Sequence, residues 1–295
     1  MPASDSAPLC AAPDPYPQAP SHAVPQFACD AHMHICGPES RFAYSNDRIY
    51  TPPDALLPSY LELTDKLGID RVVYVQPSIY GTDNSAMLDA MRASPLPCRG
   101  VAVVADDVEE PALQALHEAG VRGVRLNLVD TADKSNTLPV NQIRALAERV
   151  APLGWHLEML LHADDHPSLD TALADLPVDL VFGHLGYLRP GAETIDPGFQ
   201  ALLRLLETGR SWVKLTGPYR LTREALPYSA VRPFADALVR AAPERLIWGS
   251  DWPHVMVKTP MPNDGQLLDL LFEWVGNAEI VQRILVDNPA DLYDF

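Results

Sequence analysis

The chain has few positive charges. Lysine and arginine number 22 against 39 aspartate and glutamate residues in a sequence of 295, so the formal net charge is −17. A surface of this sign repels nucleic-acid phosphates and anionic membranes. We therefore expect no nucleic-acid partner and no membrane partner, while a few arginines in a pocket can still bind a small anion.

Long apolar runs and paired cysteines are also missing. No run approaches the roughly 20 residues of a membrane-spanning helix, and the N-terminus lacks a basic start followed by an apolar stretch. The four cysteines, Cys10, Cys29, Cys36 and Cys98, include no CxxC pair. Free thiols in a reducing compartment are the simpler interpretation, and we predict a cytoplasmic protein.

Proline is concentrated at the N-terminus. The prolines of this segment are Pro2, Pro8, Pro13, Pro15, Pro17, Pro20 and Pro25. Such a segment is extended or partly disordered. We predict an N-terminal arm over 1–26 and a single catalytic domain over 27–295, in a monomer or small homo-oligomer.

From residue 27 onward, short apolar runs alternate with helical patterns. Runs of this kind are typical of strands that are buried on both faces of a parallel sheet. We predict strands at 27–35, 71–78, 99–104, 121–128, 156–162, 179–185, 212–217 and 245–250. We predict helices at 54–67, 84–93, 109–119, 139–151, 167–175, 197–208, 230–241 and 265–275.

Eight strand–helix repeats predict an α/β protein with a (β/α)8 TIM barrel. A doubly wound open sheet is the alternative. It is disfavoured because the sequence DAHMHICG, which runs from Asp30 to Gly37 in the first strand and the loop after it, contains no GxGxxG phosphate loop.

Histidines and an aspartate lie at predicted strand ends, where a TIM barrel has its active site. His32 and His34 are two residues apart on the first strand, so both face the same side. His162 at strand five and Asp251 at strand eight can join them as ligands. The set predicts a site for one divalent metal, with zinc favoured by the ligand types, although a metal-free cluster of histidines has the same sequence pattern.

Asp251 and His184 carry the predicted chemistry. Asp251 lies between Trp248 and Trp252, where burial disfavours the charged form, so we expect a general base with a raised pKa. His184, in the stretch GHLG, is predicted either to ligate the metal or to polarise the carbonyl under attack.

Two arginines are the candidate anion-binding residues. The guanidinium groups of Arg125 and Arg220 can each form two hydrogen bonds to a carboxylate. Tyr50 lies on the long loop after the first strand, and loops of this kind commonly line barrel sites. We add His254, shortly after Asp251, to the predicted substrate-binding residues.

Five stretches together resemble the amidohydrolase superfamily: DAHMH, QPSIYGTDN, GHLG, VKLTGPYR and IWGSDWPH. Within it they are similar to the branch of lactonases that opens pyrone dicarboxylates, from about residue 28 to the stretch 287–293. The resemblance implies a TIM barrel that hydrolyses a cyclic ester. It places His32, His34 and His184 around the substrate carbonyl and Asp251 beside the attacking water. The positions that it assigns to the substrate's carboxylates or reacting ester are Tyr50, Ser78, Arg125 and Arg220.

The chain departs from this branch at strand five. The lactonases of that branch have a tyrosine and a glutamate at this position and are similar to metal-free enzymes. This chain has Leu160 and His162 there. The histidine restores the usual metal position of the superfamily, as the resemblance implies.

The leading hypothesis is a hydrolase that opens a small anionic lactone by attack of an activated water. A pyrone dicarboxylate, a muconolactone or a sugar-acid lactone would fit, with or without a bound divalent metal. The alternatives are a zinc-dependent decarboxylase or an aldarate-lactone isomerase on the same barrel, or a barrel that binds a small acid without turning it over.

Overall fold

Eight parallel strands form the centre of the molecule, and each is hydrogen-bonded to the next in chain order. The computed structural model describes residues 7–129 and 137–295. The strands are β1 (Cys29–Met33), β2 (Arg71–Val75), β3 (Cys98–Ala102), β4 (Val121–Asn127), β5 (His156–Leu160), β6 (Leu180–Phe182), β7 (Ser211–Leu215) and β8 (Leu246–Trp248). The sheet curls until the end of β8 meets β1, where Asp251 N donates to His32 O at 2.8 Å. The predicted (β/α)8 barrel is confirmed.

Helices cover the outside of the barrel and return the chain from each strand to the next. Their bounds are α1 (Leu57–Leu67), α2 (Ser85–Ala93), α3 (Glu110–Glu118), α4 (Val140–Val150), α5 (Leu169–Leu173), α6 (Pro197–Glu207), α7 (Arg232–Ala241), α8 (Asp264–Val275), α9 (Ala278–Gln282) and α10 (Asn288–Tyr293). The first eight match predicted helices. The last two were not predicted.

All eight strands end earlier than predicted. β2 ends at Val75, β6 at Phe182 and β8 at Trp248. The chain bends after these ends, and His184 and Asp251 have positive φ angles of 51° and 63°, which lie outside the strand region. Because the loops are buried, the apolar pattern continues through them and hides the true ends. Many of the predicted site residues therefore stand on loops at the carboxyl ends of the strands.

Alternate strand residues build two apolar layers, as the period of two requires. Inside the lower barrel, Val73, Val101 and Ile247 form one cluster with Tyr293 of α10. On the outside, residues such as Met33 pack against the helices. The C-terminal segment thus closes the barrel at the end opposite to the candidate site.

The N-terminal arm is extended and contacts the barrel along much of its described length. Cys10 N donates to Thr51 O, and Thr51 N donates to Pro8 O, both at 2.8 Å. Further along, Gln18 N donates to Asn263 Oδ1 at 3.0 Å. The division between an arm and a single barrel domain stays a prediction, but residues 7–26 are part of the packed structure.

Two findings concern membrane-spanning helices and disulfide bonds. Across 7–129 and 137–295, no helix is long and apolar enough to span a bilayer. All four cysteines are free thiols, as predicted, and Cys29 and Cys36 are buried.

Candidate active site

A partly open cavity lies at the carboxyl ends of the strands, where the space between the lining atoms and the solvent at its mouth together amount to about 370 Å³. Its lining residues are His34, Tyr50, Ser78, Arg125, Leu160, His184, Tyr187, Arg220, Asp251, Val255 and Met256. Seven of these are sequence-predicted site residues: His34, Tyr50, Ser78, Arg125, His184, Arg220 and Asp251. The fold therefore brings the lining residues together from seven of the eight strand ends or the loops that follow them.

His32, His34 and Asp251 form the floor of this site. Asp251 Oδ1 lies 3.6 Å from His32 Nε2 and 3.7 Å from His34 Nε2. All three residues are buried, and their potential ligand atoms lie within 4.8 Å of one another. Among the described residues, His32 Nε2 and Asp251 Oδ1 have no hydrogen-bond partner. Buried polar atoms without partners that point at one spot fit a bound cation.

The tautomer of His34 suits this role. Val75 O can only accept, so His34 Nδ1 donates its proton to that carbonyl at 2.7 Å. The lone pair of His34 Nε2 then faces Asp251. The arrangement matches a metal-binding histidine whose other nitrogen is fixed by a backbone carbonyl.

The carboxylate of Asp30 fixes the strand that carries these histidines. It accepts from Ser250 Oγ at 2.6 Å, from Tyr60 OH at 2.8 Å and from His32 N at 3.1 Å. Asp30 is buried, and these bonds offset part of the cost of its charge, although burial still raises the pKa of its carboxyl group. They join β1 to the residue that precedes Asp251.

The histidines of the site are neutral at physiological pH. Burial lowers the pKa of His34 and of His184 to about 3, and lowers the pKa of His32 well below its usual value. Neutral imidazoles can ligate a cation or hydrogen-bond a carbonyl.

The pKa of Asp251 is shifted in the direction opposite to the prediction. Burial opposes its charge and would raise the pKa, but Arg220, His184 and His34 outweigh burial and hold the pKa of Asp251 below its usual range. The physical reason is direct contact, since Arg220 Nε and Nη2 lie 2.8 and 2.7 Å from Asp251 Oδ2. The expectation of a raised pKa is wrong.

Arg220 reaches Asp251 from a tight turn after β7. Gly217 has a φ of 59°, which favours glycine. A Cβ at this position would lie 2.8 Å from His184 Nδ1 and 3.0 Å from Asp251 Oδ2. A larger residue would therefore push the turn away from both groups.

His162 does not join the predicted metal ligands. Its Nδ1 donates to Tyr187 O at 2.6 Å, and its ring lies against the Tyr187 ring at 4.7 Å. β5 ends at Leu160, and the chain enters a short 3-10 helix (Ala163–Asp165), so strand alternation does not carry His162 into the cavity. Leu160 lines the cavity instead.

His254 lies behind Asp251 rather than against the cavity. Its side chain contacts Tyr219 OH through Nδ1 and Asp264 Oδ1 through Nε2, both at 2.9 Å. A turn with positive φ at Asp251 and His254, closed by a bond from His254 N to Asp251 O, folds the ring beneath the site. His254 is not among the lining residues of the cavity, and its contact with substrate stays a prediction.

Arg125 keeps its predicted place at the cavity wall. It is buried, and its Nη1 donates to Gln76 O at 3.2 Å. Its Nε lies 3.9 Å from Glu158 Oε1. The guanidinium is thus fixed from behind while it faces the cavity.

A buried ion pair beneath His32 escaped the sequence interpretation. Lys214 Nζ lies 2.6 Å from Glu158 Oε2, 2.7 Å from Ala31 O and 3.1 Å from His32 Nδ1. Charged residues inside the apolar runs HLEML and WVKL are the signal that could have identified the pair, since such residues are buried only when they are paired.

Sequence reasoning also missed the roles of two tyrosines and an apolar wall. Tyr187 lines the cavity beside His184, and Tyr219 OH donates to Asp251 Oδ2 at 2.6 Å. Val255 and Met256 add apolar surface on the loop after β8. Residues of this kind in a loop carry no sequence signal that separates a cavity wall from ordinary packing.

Comparisons with known proteins show the family of this chain. The amidohydrolase family model matches residues 29–295. The 2-pyrone-4,6-dicarboxylate hydrolase of Comamonas testosteroni is 38% identical over 286 residues, covering 94% of this chain and 93% of that one. The 4-sulfomuconolactone hydrolase of Hydrogenophaga intermedia is 35% identical over 294 residues, covering 99% and 96%. The D-galactarolactone isomerase of Agrobacterium fabrum is more distant, at 30% identity over 281 residues, covering 93% and 94%.

A solved structure gives the same result. The crystal structure of a protein described as a 2-pyrone-4,6-dicarboxylic acid hydrolase from Pseudomonas putida superposes with a TM-score of 0.80 at 34% identity, covering 92% of this chain and 98% of that one. The match to the family model, the full-length relatives and the barrel with its His-His-Asp floor lead to one conclusion: the chain belongs to the amidohydrolase family.

Proposed function

We propose that this protein hydrolyses the ring ester of a small lactone that carries an acidic group. The observation that carries the proposal is an ionised, buried Asp251 that lies beside neutral histidines in a cavity with two guanidinium groups. The names of the relatives that are 38% and 35% identical, both lactone hydrolases, support the same reaction class.

The cavity can orient an anionic ring. Arg125 faces it from one wall, with Tyr50 and Ser78 also in the lining, and these groups can hydrogen-bond a carboxylate or sulfonate. Leu160 and Val255 offer apolar surface to ring carbons. Arg220 has two short contacts with Asp251 already, so we assign it first to that carboxylate and second to substrate.

Asp251 and His184 carry out the chemistry in this proposal. Asp251 Oδ1 accepts a proton from water as the water oxygen bonds to the ester carbonyl carbon. His184, which is neutral and lines the cavity, donates a hydrogen bond to the carbonyl oxygen as negative charge develops there. The ring C–O bond then breaks, and the proton passes from Asp251 to the departing oxygen. The product is a hydroxy acid.

We also propose that one divalent cation, zinc by its ligand types, binds at His32, His34 and Asp251. The unpartnered His32 Nε2 and Asp251 Oδ1 support this assignment. Held by these residues, such an ion would supply Lewis acidity that makes water easier to deprotonate, so that Asp251 would suffice as a weak base. His162 is not in this ligand set.

Titration of released acid tests the reaction. A pH-stat assay of the wild type on pyrone dicarboxylate, muconolactone and sugar-acid lactones should give one acid equivalent per ring opened for at least one compound. Asp251→Asn should lower kcat by about 10²- to 10⁴-fold. Asp236→Asn, the same change at a partly exposed position on α7 outside the cavity, is the control and should keep wild-type rates. Wild-type rates in Asp251→Asn would exclude the proposed base.

The products separate the alternatives. Release of CO2 would identify a decarboxylase, and an isomer formed without net acid would identify a lactone isomerase. Tight binding of the acids with no product would identify a binding protein.

We propose a cytoplasmic location and a monomer or small homo-oligomer. The four free thiols support a reducing compartment. Fractionation of cells and sedimentation of the purified protein test these two points.

A further inference from the structure

Three buried side chains, those of Tyr219, His254 and Asp264, form a hydrogen-bonded line behind Asp251. Tyr219 OH lies 2.6 Å from Asp251 Oδ2 and 2.9 Å from His254 Nδ1. His254 Nε2 lies 2.9 Å from Asp264 Oδ1 at the start of α8. Each of these residues is at most 3% exposed, so water does not compete for the bonds. The line ends away from the cavity and takes no part in the reaction proposed above.

Hydrogen-bond valence determines the direction of each bond. Tyr219 has a single hydroxyl proton, and the ionised Asp251 can only accept. At 2.6 Å the two oxygens would repel each other without a proton between them, so the Tyr219 proton points at Asp251. The Tyr219 oxygen must then accept from His254 Nδ1, while His254 Nε2 donates to Asp264. Both ring nitrogens of His254 therefore donate, Nδ1 to Tyr219 and Nε2 to Asp264, as in a doubly protonated imidazole, and Tyr219 in turn donates to Asp251.

The consequence for Asp251 is that its two oxygens differ. Oδ2 faces three donor atoms, namely Tyr219 OH and the Nε and Nη2 atoms of Arg220. Oδ1 has no hydrogen-bond partner among the described residues and faces the nitrogens of His32 and His34. If the carboxylate rotated so that Oδ1 and Oδ2 changed places, the contacts of Oδ2 with Tyr219 and Arg220 would be lost.

We propose that Tyr219, oriented by His254 and Asp264, is a positioning residue that saturates Asp251 Oδ2 and keeps Oδ1 pointed at the reaction centre. The role of Oδ1 as the proton acceptor rests on the function proposed above. The orientation of the carboxylate does not, and it is measurable without substrate.

Tyr219→Phe tests the proposal, with Tyr228→Phe as the matched control. Tyr228 is a buried tyrosine whose ring lies 6.3 Å from that of Tyr219, but it does not line the cavity. We expect Tyr219→Phe to lower kcat about 10- to 100-fold, the effect of one hydrogen bond to a charged group, with KM nearly unchanged. Tyr228→Phe should keep both constants. A crystal structure of Tyr219→Phe should show the Asp251 carboxylate rotated or in two conformers.

A second pair of variants tests the role of His254. Asn places an amide near the Nδ1 position and can still donate to Tyr219, whereas Leu cannot donate at all. We expect His254→Asn to recover most of the kcat that His254→Leu loses, at equal thermal stability of the two variants. Equal kcat values for the two would overturn the role of the bond to Tyr219.

Two results overturn the proposal directly. One is an unmoved Asp251 carboxylate in the crystal structure of Tyr219→Phe. The other is a loss in Tyr219→Phe that appears in KM and not in kcat. A wild-type protein that opens no lactone would instead remove the proposed function, and the crystal structure of Tyr219→Phe would still decide whether Tyr219 positions Asp251.

Discussion

The pKa of Asp251 is determined by residues that are distant in sequence. Arg220 follows β7, His184 follows β6 and His34 follows β1. Their combined effect outweighs burial, so the pKa of Asp251 is lowered rather than raised. A carboxylate of this kind stays ionised and suits a role as a ligand or as a base whose partner is already acidified.

Gly217 gives a prediction at the same scale. Gly217→Ala places a methyl group 2.8 Å from His184 Nδ1 on a backbone with a φ of 59°. The strain should lower the free energy of unfolding by about 1–2 kcal/mol, and the displacement should lower kcat as well. Gly154→Ala is the control, because Gly154 has a φ of 67° with no atom within 4 Å of the added Cβ. Urea unfolding and kinetics should show similar strain in both variants but lost activity in Gly217→Ala alone.

The ion pair of Lys214 and Glu158 gives a second prediction. Lys214→Met removes the short ion pair of the buried Glu158 carboxylate and leaves Arg125, at 3.9 Å, as its remaining cationic partner, so the free energy of unfolding should fall by about 3–5 kcal/mol. Lys214→Met combined with Glu158→Leu removes both charges and should be more stable than the single variant. Urea denaturation measures the difference. A double variant no more stable than Lys214→Met would show that the loss comes from packing rather than from the charge left without its short ion pair.

At the scale of elements, the N-terminal arm connects two loops that line the cavity. It pairs with Thr51, next to Tyr50, and it bonds to Asn263 on the loop that also carries Met256. Close packing at Gly265, where a Cβ would lie 2.2 Å from Gln18 O, leaves no room for a side chain. The arm therefore restrains the entrance of the site from outside the barrel.

Attachment of the arm should depend on pH through Asp269. This carboxylate accepts from Ser21 N at 2.7 and 3.0 Å. Burial would raise its pKa, but the bonds from His22 and Ser21 outweigh burial, so the pKa is lowered in the folded state. A lowered pKa stabilises the docked arm above the ordinary aspartate value, about 3.9. This stabilisation is lost as the pH falls through the folded pKa.

Hydrogen exchange in residues 18–22 measures this effect. We expect protection of these amides at neutral pH and loss of protection in acid, before the barrel itself unfolds. Asp269→Asn should remove this step, whereas Asp236→Asn on α7 should keep it. Identical exchange profiles in the wild type and Asp269→Asn would contradict the assignment.

At the scale of the whole molecule, the two ends of the barrel differ in the residues that they hold. The lower interior consists mainly of apolar side chains and is closed by Tyr293, whereas the residues of the candidate site gather at the carboxyl ends of the strands. Parallel strands bring all their carboxyl ends to one rim, so side chains from distant parts of the chain meet there.

Bound metal should stabilise the whole chain. If His32, His34 and Asp251 hold one zinc ion, free zinc at about 100 times its Kd should add about 2.7 kcal/mol to the free energy of unfolding. Elemental analysis should give one zinc per chain, and chelation should lower the Tm and the activity together. His34→Ala should lose the zinc-dependent rise in Tm, whereas His166→Ala, a partly exposed histidine outside the cavity, should keep it. An unchanged zinc content in His34→Ala would contradict the ligand set.

The sequence predicts the fold more fully than it predicts the details of the site. The eight strands and their helices follow from hydrophobic period and from glycines such as Gly68, which ends α1 with a φ of 72°. The pair His32 and His34 follows from its spacing of two. The strand ends, the place of His162 and the role of His254 do not, because buried loops continue the apolar pattern of the strands that they follow.

The sequence by itself determined the barrel, the end of the barrel that carries the site and most of the residues that line the cavity, because these depend on local periodicity and on the parallel order of strands. Only the tertiary structure decided which atoms face each other. It paired Lys214 with Glu158, turned His254 towards Asp264 and lowered the pKa of Asp251. Each of these depends on a distance between segments that only the closed barrel brings into contact.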